Sequence, residues 1–180
     1  MPSSPQTPPW YVITGGPSAG KTTVIDLLAQ HGYATTIEEA RHYINLEAHL
    51  GINSTQARLD ACAFQQNILK LQIELESGLD RTQTTFLDRA IPDSLAYYNF
   101  LNLEPEPEEL AAINSARYRK VFLLELLPLT PDYARNEDRD AQLALHALIF
   151  EVYSARQDEI VLVPIMSPAE RVNFILHHLQ

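Results

Sequence analysis

Eight residues, Gly15-Gly16-Pro17-Ser18-Ala19-Gly20-Lys21-Thr22, constrain this chain more than any others. They follow the apolar run Trp10-Tyr11-Val12-Ile13-Thr14 and precede a helical pattern that begins at Thr22. That is the strand–loop–helix setting which the spacing G-x-x-x-x-G-K-[ST] requires of a phosphate-binding loop. Glycines let the backbone wrap an anion so that successive N–H groups point inward. The helix that follows adds its positive end. Lys21 can then reach the β- and γ-phosphates, and the Thr22 hydroxyl can ligate Mg²⁺. The plain alternative is a glycine-rich turn that merely joins strand to helix, but strand, spacing, Lys and Thr are all in place. The sequence therefore predicts a nucleoside-triphosphate site on Gly15, Gly16, Pro17, Ser18, Ala19, Gly20, Lys21, Thr22 and Thr23.

Strands and helices alternate along the rest of the chain. The predicted strands are 10–14, 33–37, 84–87, 121–126 and 160–163, and the predicted helices are 21–30, 39–50, 56–77, 92–101, 108–115, 141–156 and 168–178. Strands separated by helices imply an α/β fold with a parallel sheet covered on both faces. Ligands of such sheets bind at the carboxyl ends of the strands. The candidate chemistry, at 15–22, 38–41, 88–89 and 135–139, falls at those ends.

With 180 residues the chain fits one domain, 10–180, preceded by a Pro/Ser-rich stretch, 1–9, that reads as a disordered tail and lacks the features of a signal peptide. No apolar run approaches a membrane span, so no integral membrane contact is expected. The single cysteine, Cys62, excludes an internal disulfide framework and a cysteine-cluster metal site. With no export signal, this suggests the cytoplasm. A net charge of −10 argues against nucleic acid as a partner. It leaves room for a nucleotide, which needs only a local pocket of cations and N–H groups.

Asp88 closes an apolar strand beside the loop, where a second Mg²⁺-holding group belongs. Its alternative role, a helix N-cap, is less suited because Pro92 starts the next helix. Arg89 would steady a phosphate or the acceptor, or form a surface ion pair. Glu38 would accept a proton from an attacking hydroxyl and Arg41 clamp an anionic group. The same Glu38-Glu39-Ala40-Arg41 segment also reads as an ordinary helix start. Arg135 and Arg139 lie in a polar segment after the fourth strand, able to bring positive charge over a transferring phosphoryl group or to form a solvated loop. Gln65 and Gln66 can line an acceptor pocket with Tyr97 and Tyr98 across from them, although core packing also accounts for the tyrosines. The histidines show no metal-ligand spacing, so the only metal expected is Mg²⁺.

Further elements carry a resemblance. They are Tyr11 to Thr23, Glu38-x-Ala40-Arg41, Phe86-Leu87-Asp88-Arg89-Ala90-Ile91-Pro92-Asp93-Ser94-Leu95-Ala96-Tyr97-Tyr98, and Val163-Pro164 followed by Ser167-x-x-Glu170-Arg171-Val172. Over nearly its whole length, the chain resembles the small P-loop kinase-like ATPases of the AAA type. That family includes the nicotinamide-riboside kinase domain of a bifunctional bacterial regulator of NAD biosynthesis. The resemblance implies a P-loop three-layer sandwich with strand order 2-3-1-4-5 and a lid after the fourth strand. It also implies Mg²⁺ with ATP or GTP, and it strengthens the roles given to Glu38, Arg41, Arg135 and Arg139. Ala90 stands where relatives commonly have glycine.

The expected function is transfer of the γ-phosphoryl group to a small-molecule acceptor, a nucleoside or a nucleotide-like hydroxyl or phosphate. The absence of an Asn/Thr-Lys-x-Asp guanine element near the fourth strand favours ATP. The rival is a nucleotide-dependent switch that hydrolyses ATP or GTP slowly and needs no acceptor pocket.

Overall fold

The computed structural model describes residues 7–37, 55–128 and 136–179, with side chains except at 55–60 and 136–138. The expected helix over 39–50, Glu38, Arg41 and Arg135 lie outside the described residues. Five strands, β1 (Trp10–Thr14), β2 (Ala34–Thr35), β3 (Thr85–Asp88), β4 (Lys120–Leu124) and β5 (Ile160–Val163), form one parallel sheet in the order β2-β3-β1-β4-β5. Among the described residues six helices connect or follow them: α1 (Lys21–Gln30), α2 (Thr55–Ser77), α3 (Asp93–Phe100), α4 (Pro107–Ser115), α5 (Asn136–Ala155) and α6 (Pro168–His177). The fold is α/β, with the order the resemblance implied.

β1 shows how period-two alternation builds both halves of the core. Trp10 and Val12 point to one face, where Leu87, Val121 and Leu123 meet Ala96 of α3 and Leu145, Ile149 and Tyr153 of α5. Tyr11 and Ile13 point to the other, where Phe86, Phe122 and Leu124 meet Val24 and Leu28 of α1 and Val172 and Ile175 of α6. A continuous apolar run therefore marks a strand buried on both sides. Leu69, Ile91, Tyr98 and Ile113 join α2, α3 and α4 in a smaller cluster.

Three elements differ from expectation. β2 is an edge strand of two residues, pairing only Ala34 with Thr85 and Thr35 with Phe86 of the four-residue β3. Tyr33, predicted within it, packs edge-on against the Phe86 ring at 5.2 Å. β4 ends at Leu124, two residues short of the expected 126, and Leu126 and Leu127 lie against Gly16 and Gly20 of the glycine loop. α5 begins at Asn136, five residues early, so Arg139 lies in its first turn and is exposed. The run Asn136-Glu137-Asp138 has the residue types that helix starts favour, which the polar character of the segment concealed.

A buried carboxylate fixes the sheet to its helices. Asp93, only 2% exposed, accepts hydrogen bonds from the Thr14 hydroxyl at the end of β1 and from the Ala90 N–H (3.0 Å). It also accepts from the Tyr153 hydroxyl of α5 (2.5 Å), and the Arg89 guanidinium lies 3.5 Å away. Removing one member of such a buried set leaves the others desolvated without a partner. Asp93→Ala is therefore expected to lower unfolding free energy by about 3 kcal/mol or more, read from urea denaturation. A loss below about 1 kcal/mol, the scale of an exposed ion pair, would contradict this role.

Candidate nucleotide site

The loop leaves β1 at Gly15 and enters α1 at Lys21. Gly15 has φ +141°, and a Cβ there would lie 2.7 Å from the Leu124 carbonyl oxygen, so glycine is required twice over. At Gly16 a Cβ would lie 2.9 Å from Leu126, so the residues after β4 lie against the loop. Gly20 caps α1 with φ 85° and no side-chain cap, and the first turn of α1 holds no acidic residue. The first N–H groups of a helix have no partner within it. Left without a side-chain cap or a neighbouring carboxylate, they suit an anion.

Loop carbonyls are met by side-chain donors. Lys21, 6% exposed, gives its ammonium to the carbonyls of Gly15 (3.1 Å) and Gly16 (3.0 Å). Gln142 of α5 donates to the Pro17 carbonyl. Arg171 of α6 is 2% exposed and donates from Nη1 to the Ala19 carbonyl (2.5 Å). The same guanidinium donates from Nη2 to Glu125 (3.0 Å) and from Nε to Pro164 (3.1 Å). It thereby joins the loop to the segments after β4 and β5. Burial lowers its pKa and the Glu125 carboxylate raises it; a guanidinium remains charged throughout.

His146, one turn along α5 from Gln142, accepts the Gly16 N–H at Nδ1 (3.2 Å). That bond requires a lone pair on Nδ1, hence a neutral ring with its proton on Nε2. Burial holds the imidazole below its ordinary value; the Lys21 ammonium adds to this and the Glu125 carboxylate opposes it.

On the other side of β1, Asp88 is buried at the end of β3, opposite Ile13, and its N–H donates to the Thr36 hydroxyl (3.0 Å). Arg89 follows in the left-handed region, φ 65°, with its guanidinium carbon 5.2 Å from the Tyr97 ring centroid. A buried non-glycine residue in this conformation is strained, and such strain concentrates at functional sites. The sequence alternative of a surface ion pair is replaced by a buried one with Asp93. The helix-capping role weighed for Asp88 is taken by no side chain, since Pro92 occupies the N-cap of α3 without a side-chain cap bond; Asp93, in the first turn, takes the Ala90 N–H of the turn before the helix.

The other sequence candidates divide. Gln65 is buried on α2, and Gln66 and Tyr97 are half-buried. Tyr98 is in the core, its hydroxyl bonded to Glu109 at 3.1 Å. Sequence reading missed Asp93, Gln142 and His146 and gave Arg171 no role. One signal was available: Gln142 and His146 lie on the face of α5 that carries Leu145 and Ile149, and Arg171 lies beside Val172 on the face with Ile175. Polar residues on an apolar stripe need buried partners. A cleft of about 700 Å³ lined by Asn99, Arg117, Glu151 and Glu159 lies elsewhere, by the amino ends of β4 and β5.

The loop–helix geometry and the sheet order define a P-loop kinase-like domain. The family model described as an AAA domain matches residues 10–171, and the chain belongs to that family. No curated protein matches it in sequence. Among solved structures it is similar to a NadR protein in complex with NAD and AMP-PNP. The two are 17% identical with a TM-score of 0.67, over 94% of this chain and 49% of that one. The chain thus spans about half the length of that relative. It is also similar to thymidylate kinase from Ehrlichia chaffeensis (14% identical, TM-score 0.60, 95% and 98% covered). Deoxyadenosine kinase from M. mycoides with bound dATP is a further match (13% identical, TM-score 0.66, 94% and 98% covered).

Because folding holds His146 neutral, the unfolded chain takes up its proton first as pH falls. The stability tied to neutral His146 is whole above about pH 6.5 and is lost as pH drops from there through the folded value. His146→Gln should flatten this part of the acid limb, seen by comparing urea midpoints of the two proteins between pH 7.5 and 5. Parallel curves would refute the neutral-ring assignment.

Proposed function

We propose that this chain is a P-loop kinase that moves the γ-phosphoryl group of Mg²⁺·ATP to a hydroxyl or phosphate of a small nucleoside-like acceptor. The observation that carries this reading is the Asp88-Arg89 pair: a buried carboxylate and a strained, stacked guanidinium, on the strand beside the loop. A slow nucleotide switch needs the loop but has no use for a pre-placed cation on the acceptor side. The kinase relatives named above share the fold, which supports the same choice.

The donor set fits Mg²⁺, a hard cation that takes oxygen ligands and retains phosphate and water oxygens. In this reading Thr22 and Asp88 would hold the ion, which would supply positive charge to offset that developing on the phosphates. Lys21 shifts from the loop carbonyls to the β- and γ-phosphates. Glu38 orients the acceptor hydroxyl, while Arg41, Arg89, Gln65 and Tyr97 hold the acceptor. Arg135 and Arg139 bring positive charge to the phosphoryl group in flight. The loose transition state asks mainly for position and charge compensation.

A thermal-shift screen of nucleosides, nucleoside monophosphates and pyridine ribosides, each with a non-hydrolysable ATP analogue, tests this. A true acceptor at 100 times its Kd should add about 2.7 kcal/mol of stability. If no member of the panel stabilises the analogue complex and ATP is hydrolysed alone, the switch reading replaces this one. Two variants separate the roles. Asp88→Asn should raise the Mg²⁺ concentration for half-maximal turnover, and an unchanged Mg²⁺ titration would remove Asp88 from the metal shell. Arg139→Ala should lower kcat while leaving ADP affinity and melting temperature near wild type, and normal turnover would end its assignment.

A further inference from the structure

We propose that Arg171 is the positioning residue of the phosphate loop: its buried charge fixes the Ala19–Gly20 peptide so that the Gly20 N–H is presented to the triphosphate. The proposal rests on the reading of the loop as a nucleotide site. It concerns a residue on the last helix, far along the chain from the loop it serves.

The geometry of one peptide carries it. A peptide group is planar, and among the described residues every peptide bond is trans, so the C=O of Ala19 and the N–H of Gly20 point in opposite directions. Arg171 Nη1 holds that carbonyl at 2.5 Å, so the Gly20 N–H is directed away from the guanidinium. At Gly20, φ 85° is open to glycine in more than one sense, and glycine alone would let this peptide turn over. Arg171 supplies the constraint the glycine lacks. A Cβ at Gly20 would stand 3.4 Å from the same Nη1, so the guanidinium lies close against the loop.

Electrostatics point the same way. Within hydrogen-bonding reach Arg171 meets carbonyl oxygens, those of Ala19, Glu125 and Pro164. Among the described residues no carboxylate forms an ion pair with it, and the exposed Glu125 carboxylate acts on it only from a distance. Dipoles orient around a buried cation but leave its net charge in place. That charge sits one peptide behind the loop and, by polarising the peptide, strengthens the N–H as a donor. A polyanion on the far side of the loop compensates it. The fork suits the task, since one rigid planar group spans three separate carbonyls.

Three proteins test this by calorimetric titration with inorganic tripolyphosphate and with ADP: wild type, Arg171→Lys and Arg171→Gln. Arg171→Gln should lose tenfold or more in affinity for both ligands, and Arg171→Lys, which keeps the charge, should recover at least a third of that loss on a logarithmic scale. Both variants lower the melting temperature, so stability alone does not decide. Gln binding within threefold of wild type, or Lys binding no better than Gln, overturns the proposal. Should Arg171→Gln not fold, the wild type decides through its Arg171 Nε–H resonance. The resonance should shift on saturation with tripolyphosphate and stay in place with adenosine; an unmoved signal rejects the role. If wild type binds neither tripolyphosphate nor ADP, it is the nucleotide reading that fails.

Discussion

A loop that turns its N–H groups toward an anion must turn carbonyls the other way, and those carbonyls need donors. This requirement organises the molecule. Lys21 takes the carbonyls of Gly15 and Gly16, Gln142 takes Pro17, and Arg171 takes Ala19. The donors come from α1, α5 and α6, so the two helical layers converge on one turn of backbone. Each donor is buried, and buried carbonyls without partners would be costly. The loop is therefore not a flexible glycine stretch that closes on its ligand. It is a backbone shape held from behind by side chains on three helices.

Across β1, buried acids take the corresponding part. Asp93 gathers Thr14, Ala90, Arg89 and Tyr153, and Glu76 of α2 accepts from Gln72, the Ile91 N–H and Tyr118. Burial raises the pKa of Glu76, although its three donors work against that shift. Together the two carboxylates fix both ends of the Ala90-Ile91-Pro92 turn between Arg89 and α3. The φ of 65° at Arg89 thus persists because its surroundings over-determine it.

Much of this was legible in the sequence, for identifiable reasons. The loop is local, with eight adjacent residues and a short-range geometric cause. The strands 10–14 and 160–163 coincide with β1 and β5: β1 is buried on both faces and so leaves an uninterrupted apolar run, while β5, an edge strand with Leu162 50% exposed, is marked by its β-branched residues. Asp88 and Arg89 stood out since they end such a run. What escaped notice is non-local. Nothing near Asp93 announces Tyr153, and nothing near Arg171 announces Ala19, because those pairings exist only once the sheet order is set. The edge strand β2 was overestimated for the same reason: only Ala34 and Thr35 pair with β3, and nothing in the composition of 33–37 marks where that pairing stops. The start of α5 was lost differently, since Asn, Glu and Asp serve both polar loops and helix N-termini.

The chain carries a net charge of −10, yet its phosphate loop is surrounded by positive charge. The two facts are compatible because the cations concerned are inside. Lys21, Arg89 and Arg171 are each below 8% exposed, whereas Glu125, Glu151 and Glu159 are at the surface. Exposed acids act through water and are damped within about 8–10 Å at ordinary ionic strength. A guanidinium one peptide from the loop acts across protein, where screening is weak. A surface of this sign offers no wide basic face of the kind that large polyanions require. A small polyanion entering the loop meets instead the field of the buried cations and the N–H groups they hold in place. The field at the loop thereby follows from the depth of these cations rather than from the overall balance of charge.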